Sequence, residues 1–274
     1  MKGLEVIGNN IANVNTTGFK SSEAKYADSF SNILERSAPS SAAASNRSST
    51  GIGTGVSLSG VATNFTQGSL ASTGTETDLG ISGNGFFHVK NPADSAEYAT
   101  RAGEFRWDDK GFLVTSQGYR VQGLTGASLG TVGDIQIGTP PTGTQLQSVT
   151  FDRTGNVVEF YSDGTSATTN QVLLQNFSDP SSLQNVGRGL YSGLLNAGPI
   201  GAAAGNSALQ TGTVNAPGEN GLGAIQSGTL ELSNVDLTDQ FSNLITTQRS
   251  FQAGSRLITV SDGILEEIVN LKRS

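Results

Sequence analysis

The chain has 274 residues, 16 Lys and Arg against 23 Asp and Glu for a formal net charge of −7, 36 Gly and no Cys. The lack of Cys excludes disulfides and thiolate metal sites, the scarcity of cations argues against nucleic-acid binding, and no apolar run reaches the roughly 18 residues of a membrane span. Charged residues are 14% of the chain against a usual ~25%, so Ser, Thr, Asn and Gln must make up much of the surface.

At the N-terminus, Met1 to Ala12 lack the positive cluster and apolar core of a secretion signal. Leu4, Ile7, Ile11 and Val14 are spaced three, four and three apart and predict an apolar helix stripe over Gly3 to Val14. Asn15-Thr16-Thr17-Gly18 is a stop signal, with Phe19 as an apolar anchor behind it. Asn9, Asn10 and Asn13 crowd this segment and are expected to hydrogen-bond to backbone or to a neighbouring chain. A second helical patch is predicted over Ser22 to Leu34, with Tyr26, Phe30 and Ile33 on one side. Ser37 to Ser49 then reads as a flexible loop.

Beyond it the period changes to two. Strands are predicted at Val56–Leu58, Asn64–Phe65, Gly85–Val89, Glu97–Thr100, Glu104–Trp107, Phe112–Thr115, Tyr119–Gln122, Ser148–Asp152, Val157–Tyr161 and Gln171–Asn176. Turns are expected at Asp108–Gly111, Arg153–Asn156 and Ser162–Thr165. Short strands with Gly-rich turns argue an antiparallel all-β body. Leu194 to Gln226 reads as extended chain.

The last segment carries a heptad frame: Leu237, Phe241, Leu244, Gln248, Phe251, Ser255, Ile258, Asp262, Leu265 and Val269 alternate four and three apart. It predicts a helix from Asp236 to Leu271, about 50 Å at roughly 1.5 Å per residue. Asn234 or Asp236 can cap its start, and Lys272 and Arg273 suit its last turn. Gly254 and Gly263 weaken it by about 1 kcal/mol each. So long a helix with a narrow stripe needs a partner surface, and the two ends are expected to pair with each other and with copies of the chain.

No motif carries chemistry. His88, the only His, alternates with Phe87 and Val89 and is expected at a polar or half-buried strand position. Asp108-Asp109-Lys110-Gly111 lacks the alternating oxygen ligands of a calcium loop. Gly51-Ile52-Gly53-Thr54-Gly55 and Gly221-Leu222-Gly223 lack the Lys-Ser/Thr ending of a phosphate loop, and Glu266-Glu267 lie on a solvated helix face. No catalytic residue, metal or cofactor is expected, and a β body between helical ends favours an assembly protein over an enzyme.

Three stretches then match a known pattern. They are Val6 to Lys20, holding Asn9, Asn10, Asn13, Thr17, Gly18, Phe19 and Lys20; Asn64 to Leu70 with Asp78 to Phe87; and Gln226 to Leu237, holding Asn234 and Asp236, continuing through Gln248, Arg249 and Phe251 to Arg273. In this order they resemble the bacterial flagellar rod and hook axial family. Leu232 to Leu237, Gln248 to Ala253, Val269 to Arg273 and Asn176 to Pro180 resemble hook subunits most, whereas the length is nearer that of distal rod subunits. The family begins about twenty residues earlier, so Met1 is expected to mark a late start or a truncation.

The resemblance implies a mainly β fold with helical termini, an antiparallel β body of the hook/rod type plus N- and C-terminal coiled-coil helices. It divides the chain into a helical layer at residues 1–35 and 230–274, a linker at 36–55, a β body at 56–193 and a return segment at 194–229. It implies a structural subunit of the flagellar hook, the flexible joint passing torque from rod to filament; the alternatives are a distal rod subunit of the basal body or an unrelated β-rich adhesion module. The implied partners are copies of the chain, a hook cap, the distal rod, the hook–filament junction proteins and the type III export apparatus, with no nucleic acid and no membrane insertion. The place is the hook or basal body, outside the cell after export. Gln248, Ser255 and Asp262 would weaken the seam and let subunits slide as the tube bends.

Overall fold

A computed structural model describes residues 2–37, 39, 45, 46, 48–126, 129–201, 209 and 215–271. The chain divides into two compact units.

The first unit holds residues Met1–Ile11, Ser22–Asn64 and Leu237–Ser274. Its elements are α1 (Lys2–Ala12), β1 (Ser22–Asp28), β2 (Ser31–Glu35), β3 (Thr50–Gly53), β4 (Val56–Thr63) and α2 (Leu237–Leu271). Helix α1 ends at Ala12, short of Val14, because the chain turns there: the Thr16 N–H donates to the Asn13 carbonyl at 3.1 Å. The predicted helix over Ser22 to Leu34 is instead β1 and β2. β1 runs antiparallel to β4 from Ser22 opposite Thr63 to Asp28 opposite Val56, with a bulge at Lys25/Tyr26, and β2 pairs with β3. Partners 15 to 41 residues away in sequence satisfy the backbone there, and this overrides a local helical spacing. One short N-terminal helix therefore stands where N-terminal coiled-coil helices were expected. The Ser37 to Ser49 loop lies partly outside the described residues, and β3 lies inside the stretch read as linker. Helix α2 matches its predicted span to one residue; Lys272 and Arg273 lie outside the described residues.

The second unit holds Ala12–Ser21 and Phe65–Asp236. Its strands are β5 (Leu70–Ser72), β6 (Leu79–Ser82), β7 (Phe86–Lys90), β8 (Glu97–Thr100), β9 (Phe105–Trp107), β10 (Leu113–Thr115), β11 (Arg120–Thr125), β12 (Thr131–Asp134), β13 (Leu146–Phe151), β14 (Asn156–Tyr161), β15 (Ser166–Val172), β16 (Leu174–Phe177), β17 (Gln184–Gly187), β18 (Leu190–Ser192), β19 (Pro199–Ile200), β20 (Ala224–Ser227) and β21 (Thr229–Glu231). The main sheet runs β13-β14-β15-β11-β7-β8-β18-β17, while β20 pairs with β6 and β21 with β5. All these pairings are antiparallel, as short strands joined by tight turns require. Asp108–Gly111 closes β9 on β10, with the Gly111 N–H on the Asp108 carbonyl at 2.9 Å.

Strand β7 is buried on both faces. Phe87 and Val89 enter a core with Leu79, Ile81, Val121 and Ile225, and Phe86 enters a second with Phe177, Leu183 and Tyr191. His88 shares the Phe86 face and is only 2% exposed, so it is fully buried rather than half-buried. Asn64–Phe65 is not a strand: the Phe65 ring packs edge-on against Phe86 and Tyr191 at 5.6 and 5.4 Å. Gln171–Asn176 is broken at Leu173 into the end of β15 and the start of β16. The return segment is not simply extended chain. It includes β19 and β20 and buries Leu194, Ala197, Leu209, Ala216, Leu222 and Ile225, although residues 202–208 and 210–214 lie outside the described residues.

Glu159 on β14 is fully buried. It accepts from the Tyr161 hydroxyl at 2.5 Å, the Thr169 hydroxyl at 2.6 Å and the Gly138 N–H at 2.9 Å. The hydrogen bond to this carboxylate, with burial and charge behind it, pushes the Tyr161 phenol up to about 12. A raised folded pKa means the bond contributes in full below the unfolded phenol's value near ~10 and is lost as pH rises through about 12. Tyr161→Phe is expected to lower the urea-unfolding free energy by about 1.5–3 kcal/mol at neutral pH, with the difference from wild type closing in strong alkali.

Candidate functional site

The three motif stretches meet in the second unit. The Gly18 N–H donates to the Glu231 carbonyl at 2.7 Å, and the Leu232 N–H to the Ser69 carbonyl at 2.8 Å. Asn234 accepts from the Ser21 N–H at 2.7 Å and donates to the Thr66 carbonyl and hydroxyl at 3.1 and 3.0 Å. The residues following α1 are thus held beside those preceding α2. Thr17 adds a bond to Glu104 at 2.9 Å, and Phe19 is half-buried.

The centre of this clasp is Glu231. Its Oε1 accepts from Lys20 Nζ at 2.6 Å and from the Gly68 N–H at 2.8 Å; its Oε2 accepts from Arg101 at 3.2 Å. Lys20 also donates to the Thr66 carbonyl and Arg101 to the Gly83 carbonyl, at 2.8 and 3.0 Å. The Lys20 and Glu231 side chains have no exposed surface. Burial lowers the pKa of both Lys20 and Arg101, and the Glu231 charge and hydrogen bonds oppose it. The Arg101 guanidinium lies 5.1 Å from the centre of the Phe86 ring. Nearby, burial pushes the Tyr191 phenol up to about 12.

Two positions in the clasp admit only glycine. Gly18 has φ +65, and a Cβ there would lie 2.6 Å from the Ala102 nitrogen. A Cβ on Gly68 would run into the Leu232 carbonyl. Lys20 and Gly18 were legible as motif residues, but Glu231, Arg101 and Gly68 were not read as site residues. The available signal was a charge between Leu230 and Leu232 on a strand, an unusual place for a carboxylate without a buried partner.

In the first unit, Asn10 is buried. It donates to the Ser22 carbonyl at 2.8 Å and to the Gln240 side chain at 3.1 Å, and accepts from the Ser22 N–H at 2.9 Å. Asn13 accepts from the Thr16 hydroxyl at 3.2 Å, while Asn9 is exposed. Leu4, Ile7 and Ile11 are half-buried, as is Val14 in the second unit. Leu4 lines a cavity of about 170 Å³ with Thr247, Gln248, Phe251 and Gln252.

Helix α2 has no buried residue along its 35 positions. Of the heptad positions, Leu244 is half-buried; Leu237, Phe241, Phe251, Ile258, Leu265 and Val269 are 39–65% exposed. Gln248, Ser255 and Asp262 are exposed, as are Arg249 and Asp236. No described helix is long and apolar enough to cross a membrane. Among the described residues, no three His, Asp or Glu side chains are gathered as a metal site would need.

Three family descriptions match in chain order: "Flagella basal body rod protein" over residues 2–20, "Flagellar hook protein FlgE/F/G D1 domain" over 80–159 and "Flagellar basal body rod FlgEFG protein C-terminal" over 226–271. The flagellar basal-body rod protein FlgG of Bacillus subtilis is 40% identical over 270 residues, 98% of this chain and 93% of its own. This chain belongs to the flagellar rod and hook family. FlgG of Caulobacter vibrioides is 33% identical over the same shares of both chains. The flagellar hook protein FlgE of Helicobacter mustelae is 42% identical, but over 44% of this chain and 27% of its own. These two rod proteins match along nearly the whole chain and the hook protein over less than half of it, which favours the rod alternative of the sequence reading over its hook reading. The protein is a structural, non-enzymatic flagellar subunit, and subunits of this family self-assemble and join other flagellar components.

Removing one member of a buried pair costs about 3–5 kcal/mol. Glu231→Ala strands two cations and is expected to destabilise the free subunit more than Lys20→Met, which leaves Arg101 on the carboxylate. Gly18→Ala is expected to cost at least about 1–2 kcal/mol through its left-handed backbone alone. Thermal and urea unfolding of the three variants check this order.

Proposed function

We propose that this chain is a subunit of the flagellar basal-body rod, in its distal part, polymerising helically into a hollow tube outside the inner membrane. The observation that carries the reading is the match to rod proteins over nearly the full length, combined with a 35-residue helix in which no residue is buried in the single chain. A lone amphipathic helix is marginal in water, and a contiguous exposed apolar surface marks an interaction site. α1 and α2 form the inner layer, in contact with the same helices of neighbouring copies along Phe241, Leu244, Phe251, Ile258, Leu265 and Val269. Gln248, Ser255 and Asp262 interrupt the seam and disfavour aggregation of the free subunit, as polar residues do at coiled-coil core positions. Export runs through the flagellar type III apparatus, and the flanking components are the rest of the rod and the base of the hook.

Expression in a bacterium lacking its own distal rod protein is expected to restore basal bodies with a complete rod and motility, and expression in a hook-protein mutant to restore nothing. The reverse pattern would return the chain to the hook. Phe251→Asp, at a site 65% exposed in the subunit, is expected to leave the subunit's melting temperature unchanged while abolishing tubes in electron micrographs.

A further inference from the structure

Helix α2 carries a second face that the heptad seam does not use. Arg249, Arg256 and Glu267 are separated by 7 and 11 residues, about two and three turns at roughly 3.6 residues per turn. They form one line along the helix, on the side opposite Ile258. Leu257, Val260 and Ile264 run beside that line, 71%, 60% and 53% exposed. Arg249, Arg256, Leu257 and Val260 border one open groove. Among the described residues, neither arginine, nor Glu266, nor Glu267 forms an ion pair. In a chain with only 16 Lys and Arg, two stand unpaired on one helix face, with the unpaired carboxylate of Glu267 further along it.

We infer that this face docks a second copy of the chain, the Arg249/Arg256 end of one α2 meeting the Glu267 end of the next in a parallel, staggered contact. The inference rests on the self-assembly proposed above and specifies the contact. The offset follows from helix rise: 11 to 18 residues between the charges correspond to about 16–27 Å at roughly 1.5 Å per residue. Leu257, Val260 and Ile264 lie beside the arginines and lose solvent on docking. Each exposed pair is weak, but the contact recurs at every subunit. It joins two different patches, so it is heterologous and need not close, which is the condition for an open filament. An antiparallel pairing of the same charges would instead be isologous and stop at a dimer.

The chain has no cysteine, so Arg256→Cys with Glu267→Cys introduces the only two thiols. Assembled tubes of this double variant, treated with a short-spacer bismaleimide, are expected to give a covalent ladder well beyond dimer on denaturing gels. A product that stops at dimer, or tubes that show no cross-link, overturn the staggered contact. Charge reversal tests the same contact without cross-linking. Arg249→Glu with Arg256→Glu is expected to raise the critical concentration for assembly at least tenfold, and mixing with Glu267→Arg to restore it. Wild-type assembly by both reversed variants alone would overturn the contact but leave the assembly reading intact. Failure of the unmodified chain to form tubes overturns both.

Discussion

Glu231 is one carboxylate without solvent, bonded to two cations and a backbone N–H. A buried charge is costly alone and tolerable only when its hydrogen bonds are completed. Completing them here requires Lys20 from the residues after α1, Gly68 from the loop before β5, and Arg101 from the end of β8. The ladder bonds from Gly18 and Leu232 and the side chain of Asn234 run beside it. The second unit can therefore form its electrostatic centre only when the entering and leaving legs of the chain lie side by side. That is a constraint of register and topology as much as a contribution to stability.

The helical ends have the opposite character. The β body buries Phe87, Val89, Leu174 and Ile225 completely, so its core is finished within one chain. Helix α2 is covered nowhere by its own chain to the point of burial. Its apolar residues gain from the hydrophobic effect only when another surface removes them from water. A finished body joined to a helix with no buried residue suits a subunit that self-assembles, in keeping with a family of structural axial proteins.

The same contrast accounts for which elements were legible. α2 was readable to within a residue because helical period and length are local properties. The hairpins around Asp108–Gly111 and Arg153–Asn156 were readable because their turn chemistry is local too. β1 and β2 were missed because Tyr26, Phe30 and Ile33 mimic a helical spacing, and only the distant strands β4 and β3 supply the competing backbone bonds. His88 was expected at a polar or half-buried strand position because alternation assigns a strand one wet face, whereas β7 is covered on both sides by cores drawn from distant segments. The preference for the hook over the rod rested on a shared feature: the C-terminal family description over residues 226–271 covers both, so that segment could not separate the branches.

By itself the sequence determined a β body between helical ends, the absence of thiol chemistry, the seam of α2 and the membership of a flagellar axial family. These rest on composition, on periods of two and roughly three and a half residues, and on contiguous motifs. The tertiary structure alone decided that Lys20, Arg101 and Glu231 are partners, that Gly18 and Gly68 must lack side chains, and that the seam of α2 is left open. Each of these depends on residues from distant parts of the chain being brought within a few ångströms, or on none being brought there. Interactions of that range leave no periodic trace in the sequence, because the energy of a buried ion pair or an uncovered helix is set by what surrounds it.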